Sequence, residues 1–465
     1  MLDKFSLPAA RHPGYGTIDP LDNRYFDPEA AKYLSEQSRV TYQSYIESAL
    51  AHTLSEFGVC SRDIAAQIEK SARDIDINNV YEEEKTTRHD IKALVNTIKA
   101  DVSDEAKPYV HFGATSYDII ANSQVLQLKG VTEDVVLPRL AELIKILAGL
   151  AQKYAGTPQI GRTHGQHGVP ITFGFAVAEY ASRLEGTYSA MKDLCGELKG
   201  KFSGAVGAYN ALSVFVDEPL KFEESVLAKI GLRPAEYSTQ IAPPEQLIRL
   251  IDEYAIAAGI MANLGNDMRN LQRSEISEIR EKFEEGQTGS STMAHKRNPW
   301  NFENVVSMHK QVLSQMVNAN LNISSEHQRD LTDSANSRFY VIVPAITANM
   351  ISRLNKVMSK VEVDEEAMQR NLTLSKGAIA AEPLYLLLEK YGHVTAHEKS
   401  KELAHEALES NRSLHEAVSS DESIKQYWEK FSEKEKKIIQ QPEKYYIGQS
   451  AKKAQAIAER VTSAL

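Results

Sequence analysis

The sequence predicts a mainly α, three-domain chain with a long central helical bundle. Three observations predict it. First, apolar residues recur at steps of three and four over long segments. They are Val177, Tyr180, Leu184, Tyr188, Met191, Leu194 and Leu198, then Ile260, Leu264, Met268 and Leu271, then Val305, Met308, Val312, Met316 and Ala319. That spacing lines one face of a helix. Second, period-two alternation is sparse, so any sheet is small. Third, proline and glycine gather at 156–174, 203–210, 231–244 and 286–299, which read as connections between helices.

The elements follow in order. Residues 8–28 hold four prolines and two glycines, an irregular arm with no regular element until about residue 28. The first domain, 1–112, is helical after that arm and ends before GATSYD. The central domain, 113–362, carries the long periodic segments. A composition shift at VEVDEE, 361–366, opens a C-terminal helical domain, 363–465, of shorter segments. Its run SEKEKK at 432–437 reads as a solvated helix face.

Composition narrows the function. A chain of 465 residues suggests two or three domains. Its formal net charge of −10 argues against nucleic acid as a partner, so any phosphate must meet a few local cations. The two cysteines, Cys60 and Cys195, form no CxxC pair. A disulfide framework or zinc site is not expected, and a reducing cytoplasm fits. The stretch MLDKFSLPAARHPGYG lacks the apolar core of a secretory signal, and no run of about 18 apolar residues suggests a membrane span. Neither a phosphate loop nor a dinucleotide glycine pattern appears, so no cofactor and no metal is expected.

Six stretches could carry chemistry. GSSTMAHKRNP at 289–299 sets serines beside cations. A serine acts as a base only when its alkoxide is stabilised, and Lys296 and Arg297 supply charge while Asn298 supplies an amide. Taken alone, the stretch also reads as an exposed loop leading to a helix cap. GRTHGQHGVP at 161–170 holds His164 and His167 between glycines. Histidine on a rigid turn suits acid–base work, and a structural polar turn is the other reading. TTRHD at 86–90 places Arg88, His89 and Asp90 in succession, and a helix start capped by Thr86 or Thr87 explains them as well. In HFGATSYD, Thr115 and Ser116 suit an anion at a helix N-terminus or simple capping. Arg24 and Tyr25 in DNRY, and Arg329, Ser334 and Arg338 in QRDLTDSANSR, offer forks for phosphate or carboxylate. Surface ion pairs are the plain alternative for those arginines.

Together these stretches resemble a known family. GSSTMAHKRNP is similar to the signature loop of the fumarase/aspartase superfamily. RHD, GATSYD, GRTHGQH, HKRNP, NRY and RDLTDSANSR, with PEKYYIG at 442–448, resemble the adenylosuccinate lyases within it, in order and over most of the chain. Other lyases of the superfamily share the loop but lack this RHD and arginine set. A scaffold without activity would lack Ser290, His164 or Lys296.

The resemblance implies a homotetramer whose active sites combine segments of three subunits. It implies small-molecule substrates, no nucleic acid and no membrane. The implied reaction is a cofactor-free anti elimination of fumarate from adenylosuccinate, giving AMP, and from succinylaminoimidazole-carboxamide ribonucleotide (SAICAR). Carried over by position, Ser290 is the base and His164 the general acid. Lys296 and Asn298 hold the succinyl carboxylates, joined by Thr115 and Ser116. His89 contacts the phosphate or orients His164, within the substrate-binding run Arg88, His89 and Asp90. Arg24, Tyr25, Arg329, Ser334 and Arg338 surround phosphate and ribose, and Gln240 lies near the substrate. Two departures stand out. Ala294 replaces the usual proline, which implies greater loop entropy in the open state. APPE at 242–245 differs from the family's residues after the glutamine.

Overall fold

A computed structural model describes residues 5–283, 292–293 and 295–465. Helix makes up 64% of the described residues, and among them strands occur in three two-stranded sheets. The mainly α expectation therefore holds. Long helices span Glu36–Glu56, Phe173–Glu197, Glu245–Leu271 and Trp300–Leu321. Val177, Leu184, Leu264, Met268, Val305 and Val312, all picked out by spacing, are buried.

The chain divides into two compact units. One comprises residues 1–140, 187–259 and 307–352. Its arm is irregular up to Pro28 apart from a 3-10 turn at Pro20–Asp22, and Asp27 then caps the helix Pro28–Leu34. The helix Glu36–Glu56 packs against Arg62–Arg73, Ser116–Val131 and Pro219–Lys229. It buries Tyr45, Ile46, Leu50 and Leu54, but also Gln43, Ser44, Glu47 and Ser48. A helix enclosed on all sides shows no simple apolar stripe in sequence.

Glu47, wholly buried, meets His111 at 2.6 Å. Burial lowers the His111 pKa, but the Glu47 carboxylate, aided by Asp118, more than reverses this against Lys99, and the value ends above the usual 6.5. The pair's stabilisation is complete below the unfolded-state pKa of about 6.5 and is lost as pH rises through the raised folded-state value. The thermal midpoint is expected to fall on going from pH 6 to pH 9, with a shallower fall in His111→Gln. Equal slopes for the two proteins would contradict this.

The other unit comprises residues 141–186, 260–306 and 353–465. Leu384, Leu388, Leu403, Leu414, Ile424 and Phe431 form a core among short helices. SEKEKK lies at the start of the helix Glu433–Gln440, where Ser432 and Glu435 form a capping box. The stretch 156–174 is not a loop, as its glycines and prolines suggested. It contains an antiparallel hairpin, Pro158–Thr163 with Gln166–Thr172, followed by the helix Phe173–Glu197. His164 and Gly165 form its two-residue turn, with φ of 55° and 74°. Two left-handed residues in succession match the twist of paired strands, which is why glycine is needed at Gly165.

Candidate active site

The RHD residues sit at a junction of two helices: a helix does start there, as one reading expected, but His89 rather than Thr86 or Thr87 caps it. The helix Ile77–Thr87 ends there, with Arg88 as its left-handed C-cap at φ 51°. Position C-cap to C′ normally selects glycine, since a side chain strains this conformation. His89 then caps the helix Asp90–Ala100 by accepting the Lys92 N–H at 3.4 Å. The break turns three consecutive residues toward one cleft.

That cleft has a volume of about 380 Å³ and is lined by six of the predicted residues: Arg88, His89, Asp90, Ser116, Ser334 and Arg338. They come from three stretches far apart in sequence. Ser116 enters as the first residue of the helix Ser116–Val131, capped by Thr115. Asp90 pairs with Arg338 at 2.8 Å and with Arg39 at 3.6 Å. Arg39 and Glu36, which sequence reasoning passed over inside a long helix, also line the cleft and pair at 2.8 Å. Burial would raise the Glu36 carboxyl, but Arg39 and the Tyr81 hydroxyl outweigh it and hold the group below the usual carboxylate range. Tyr117, also in the wall, is pushed up to about 12 by burial and then by Asp333. Arg39 and Arg338 are thus partnered, while Arg88 forms no ion pair among the described residues. A phosphate entering the cleft meets one uncommitted fork and two held in place.

The remaining predicted residues of this unit lie elsewhere. Arg329 is inside the protein, paired with Asp333 at 2.6 Å and donating to the Asn322 carbonyl. It lines a separate cavity of about 60 Å³. Arg24 is exposed. Tyr25 lines a cavity of about 680 Å³ beneath the arm, and its carbonyl accepts from Asn349 at 2.7 Å. Gln240 donates its N–H to Gln328 O at 3.1 Å and accepts from Lys201 at 3.0 Å.

In the other unit His164 stands exposed at the hairpin tip. Arg162, two residues before it, forks onto wholly buried Glu278 at 2.6 and 3.3 Å. Gln159 and Asn371 donate to the same carboxylate, each at 2.7 Å. Stranding that buried charge would cost about 3–5 kcal/mol, so the hairpin's base is firmly set. His167 faces Arg162 across the strands. Burial, and then the Arg162 charge, lower its pKa, with Glu278 pulling the other way.

Glu281 accepts from Asn301 N–H and Phe302 N–H at 3.0 and 3.1 Å, capping the helix Trp300–Leu321. Gln272 accepts from Glu281 N–H and donates to Arg297 O, at 2.9 and 3.1 Å. The backbone on either side of the signature stretch is therefore anchored. Lys296 is exposed and Asn298 partly buried. Ser290 and Ala294 lie outside the described residues.

Comparisons with known proteins cover most of the chain. The family described as lyase matches residues 26–314, and the one described as adenylosuccinate lyase C-terminal matches 325–445. Adenylosuccinate lyase of Pyrococcus horikoshii is 37% identical over 418 residues, 88% of this chain and 91% of that protein. The enzyme of Archaeoglobus fulgidus is 33% identical, covering 96% of this chain and 99% of its own length. N-acetyl-S-(2-succino)cysteine lyase of Enterococcus italicus is 31% identical, covering 84% and 86%. A solved fumarate lyase from Mesorhizobium sp. BNC1 superposes with a TM-score of 0.83 at 21% identity, covering 96% of this chain and all of that one. The last likeness shows the fold.

Proposed function

The chain belongs to the adenylosuccinate lyase family, and on that premise we propose how its residues eliminate fumarate from adenylosuccinate and from SAICAR in purine biosynthesis. One observation carries the proposal: six residues chosen from separate motifs line a single cleft rich in arginine. Its 380 Å³ falls in the usual range for small-molecule sites. Arg88 and Arg338 take the substrate phosphate, with His89 beside them and Asp90 orienting Arg338. Ser334 completes the phosphate end; Arg24 and Tyr25, outside this cleft, serve the rest of the nucleotide, while Arg329 stays committed to Asp333.

At the succinyl end the chemistry needs two groups on opposite faces. Ser290 removes a proton from the methylene carbon next to a carboxylate. The electron pair forms the double bond of fumarate as the neighbouring C–N bond breaks. His164 delivers a proton to the leaving nitrogen, and AMP departs. Before the bond breaks, charge gathers on the carboxylate as a dianionic aci form. Lys296 opposes that charge, while Asn298, Thr115, Ser116 and Gln240 hold the succinyl group. No cofactor enters this scheme.

In this reading the domains are 1–112, 113–362 and 363–465, and the enzyme is a cytoplasmic homotetramer with shared sites. No helix among the described residues is long and apolar enough to cross a membrane. Leu313, Val317 and Leu321 form an exposed apolar row on the helix Trp300–Leu321, which supports burial of that face between subunits. Sedimentation as a monomer at micromolar concentration would remove the tetramer.

The cleft's role is tested by comparing adenylosuccinate with its dephosphorylated nucleoside. Two charge-assisted hydrogen bonds of about 1.5–3 kcal/mol each make a loss in kcat/KM of roughly 100-fold or more the expected result. Equal kcat/KM values would exclude a phosphate site in this cleft.

A further inference from the structure

The stretch KFSGAVGAYN at 201–210 reads in sequence only as a glycine-rich connection, yet it holds a lysine that never reaches water. Lys201 and Asp118 are both fully enclosed, at 0% side-chain exposure, and their Nζ and Oδ1 are 2.6 Å apart. The other two ammonium protons go to Gly204 O at 2.8 Å and Gln240 O at 3.0 Å. All three donors of the ammonium are therefore spent. Asp118 Oδ1 also accepts Ser203 N–H and Gly204 N–H at 3.1 and 3.2 Å, and Oδ2 accepts Thr115 N–H at 2.9 Å.

The surroundings are equally determined. Asn122 clasps the Lys201 backbone, accepting its N–H at 3.1 Å and donating to its carbonyl at 2.7 Å. Ser203 and Ser238 hydroxyls meet at 2.7 Å. Gly207 has φ 77°, and a β-carbon there would lie 2.0 Å from Ser238 O. Three separate backbone segments, around 115, 201–207 and 238–240, are thus joined at one buried ion pair.

A buried pair is poor value for stability, since apolar side chains of the same volume often do as well. Apolar groups, however, would fill the space without setting direction. We propose that the Asp118–Lys201 pair is a positioning device for the succinyl end of the site. It holds the backbone at Thr115 and Gln240, and with it Ser116, in a fixed relation to one another. The inference rests on the reading of Thr115, Ser116 and Gln240 as substrate ligands.

The single variants each strand a buried charge, so the test uses the double variant Asp118→Asn with Lys201→Met, which removes both. Two measurements are made against wild type: kcat/KM for adenylosuccinate, and inhibition by AMP, which has no succinyl group. The expected result is kcat/KM lowered at least 30-fold and an AMP inhibition constant changed less than threefold, with a folded protein whose thermal midpoint is lower than wild type, because Gly204 O and Gln240 O lose their donor. Unchanged kcat/KM, or a parallel loss of AMP affinity, would overturn the assignment, because the pair would then be dispensable or merely structural. Should the double variant not fold, Ser203→Ala with Ser238→Ala breaks only the hydroxyl link. It is expected to lower kcat/KM at least threefold with AMP inhibition unchanged, and no change would overturn the assignment. A wild type inactive on adenylosuccinate would instead fail the functional reading and take this inference with it. An active wild type with an unaffected variant fails the pair alone.

Discussion

His164→Asn is expected to lower kcat on adenylosuccinate by roughly 10²–10⁴-fold, the usual contribution of a positioned general acid, without loss of stability. The second half of that expectation comes from the turn. His164 and Gly165 occupy two left-handed positions of a two-residue hairpin, where Asn-Gly is the favoured pair. The substitution therefore improves the local backbone preference while removing the acid. His164 is also exposed, so little packing is lost. A residue kept at a position where another would suit the backbone better points to its chemistry. Paired measurement of kcat and thermal midpoint checks both halves. A kcat within threefold of wild type would remove His164 from the acid's role.

The second large effect concerns the signature stretch. Lys296→Met is expected to lower kcat roughly 10²–10³-fold, the loss seen when one preorganised group facing a developing negative charge is deleted. Ser290→Ala should cost at least as much. Lys296 both eases formation of the serine alkoxide and opposes the carboxylate's developing charge, so the two residues act as a unit. The double variant is therefore expected to be no slower than the slower single variant. Single-turnover rates for the three variants decide this. Effects that multiply would show independent roles and contradict the assignment of Ser290 as the base that Lys296 serves.

Much of the fold was legible because it rests on periodicity. Residues such as Val177, Leu264 and Val305 recur at helical spacing and are buried where that spacing predicts. The hairpin at 158–172 was not legible. Its strands are six and seven residues long, carry polar and glycine residues in their centre, and show no clean alternation. The helix Glu36–Glu56 lies in a domain expected to be helical, but its apolar face could not be picked out, because it is buried on all sides and includes polar residues.

The candidate site divides in the same way. Arg88, His89, Asp90, Ser116, Ser334 and Arg338 could be chosen as a group because chemistry-bearing residues cluster in short motifs, and they do line one cleft. Arg329 shows the limit, since an arginine in such a motif can as well be held by a buried partner, here Asp333. Asp118, Lys201, Glu278 and Arg39 were missed. A charged residue in sequence reads as surface until its partner is known, and the partner of Lys201 is 83 positions away by residue number (201 − 118). Pairing at that separation leaves no local signal.

The central claim is that this chain eliminates fumarate from adenylosuccinate. The most direct test is to incubate the purified protein with adenylosuccinate and quantify every product. Fumarate and AMP in equal amounts, with no cofactor added, is the predicted result. No turnover would contradict the claim outright. Aspartate and IMP in place of fumarate and AMP would mean hydrolysis at the purine carbon, and would leave neither Ser290 nor His164 with the role assigned to it.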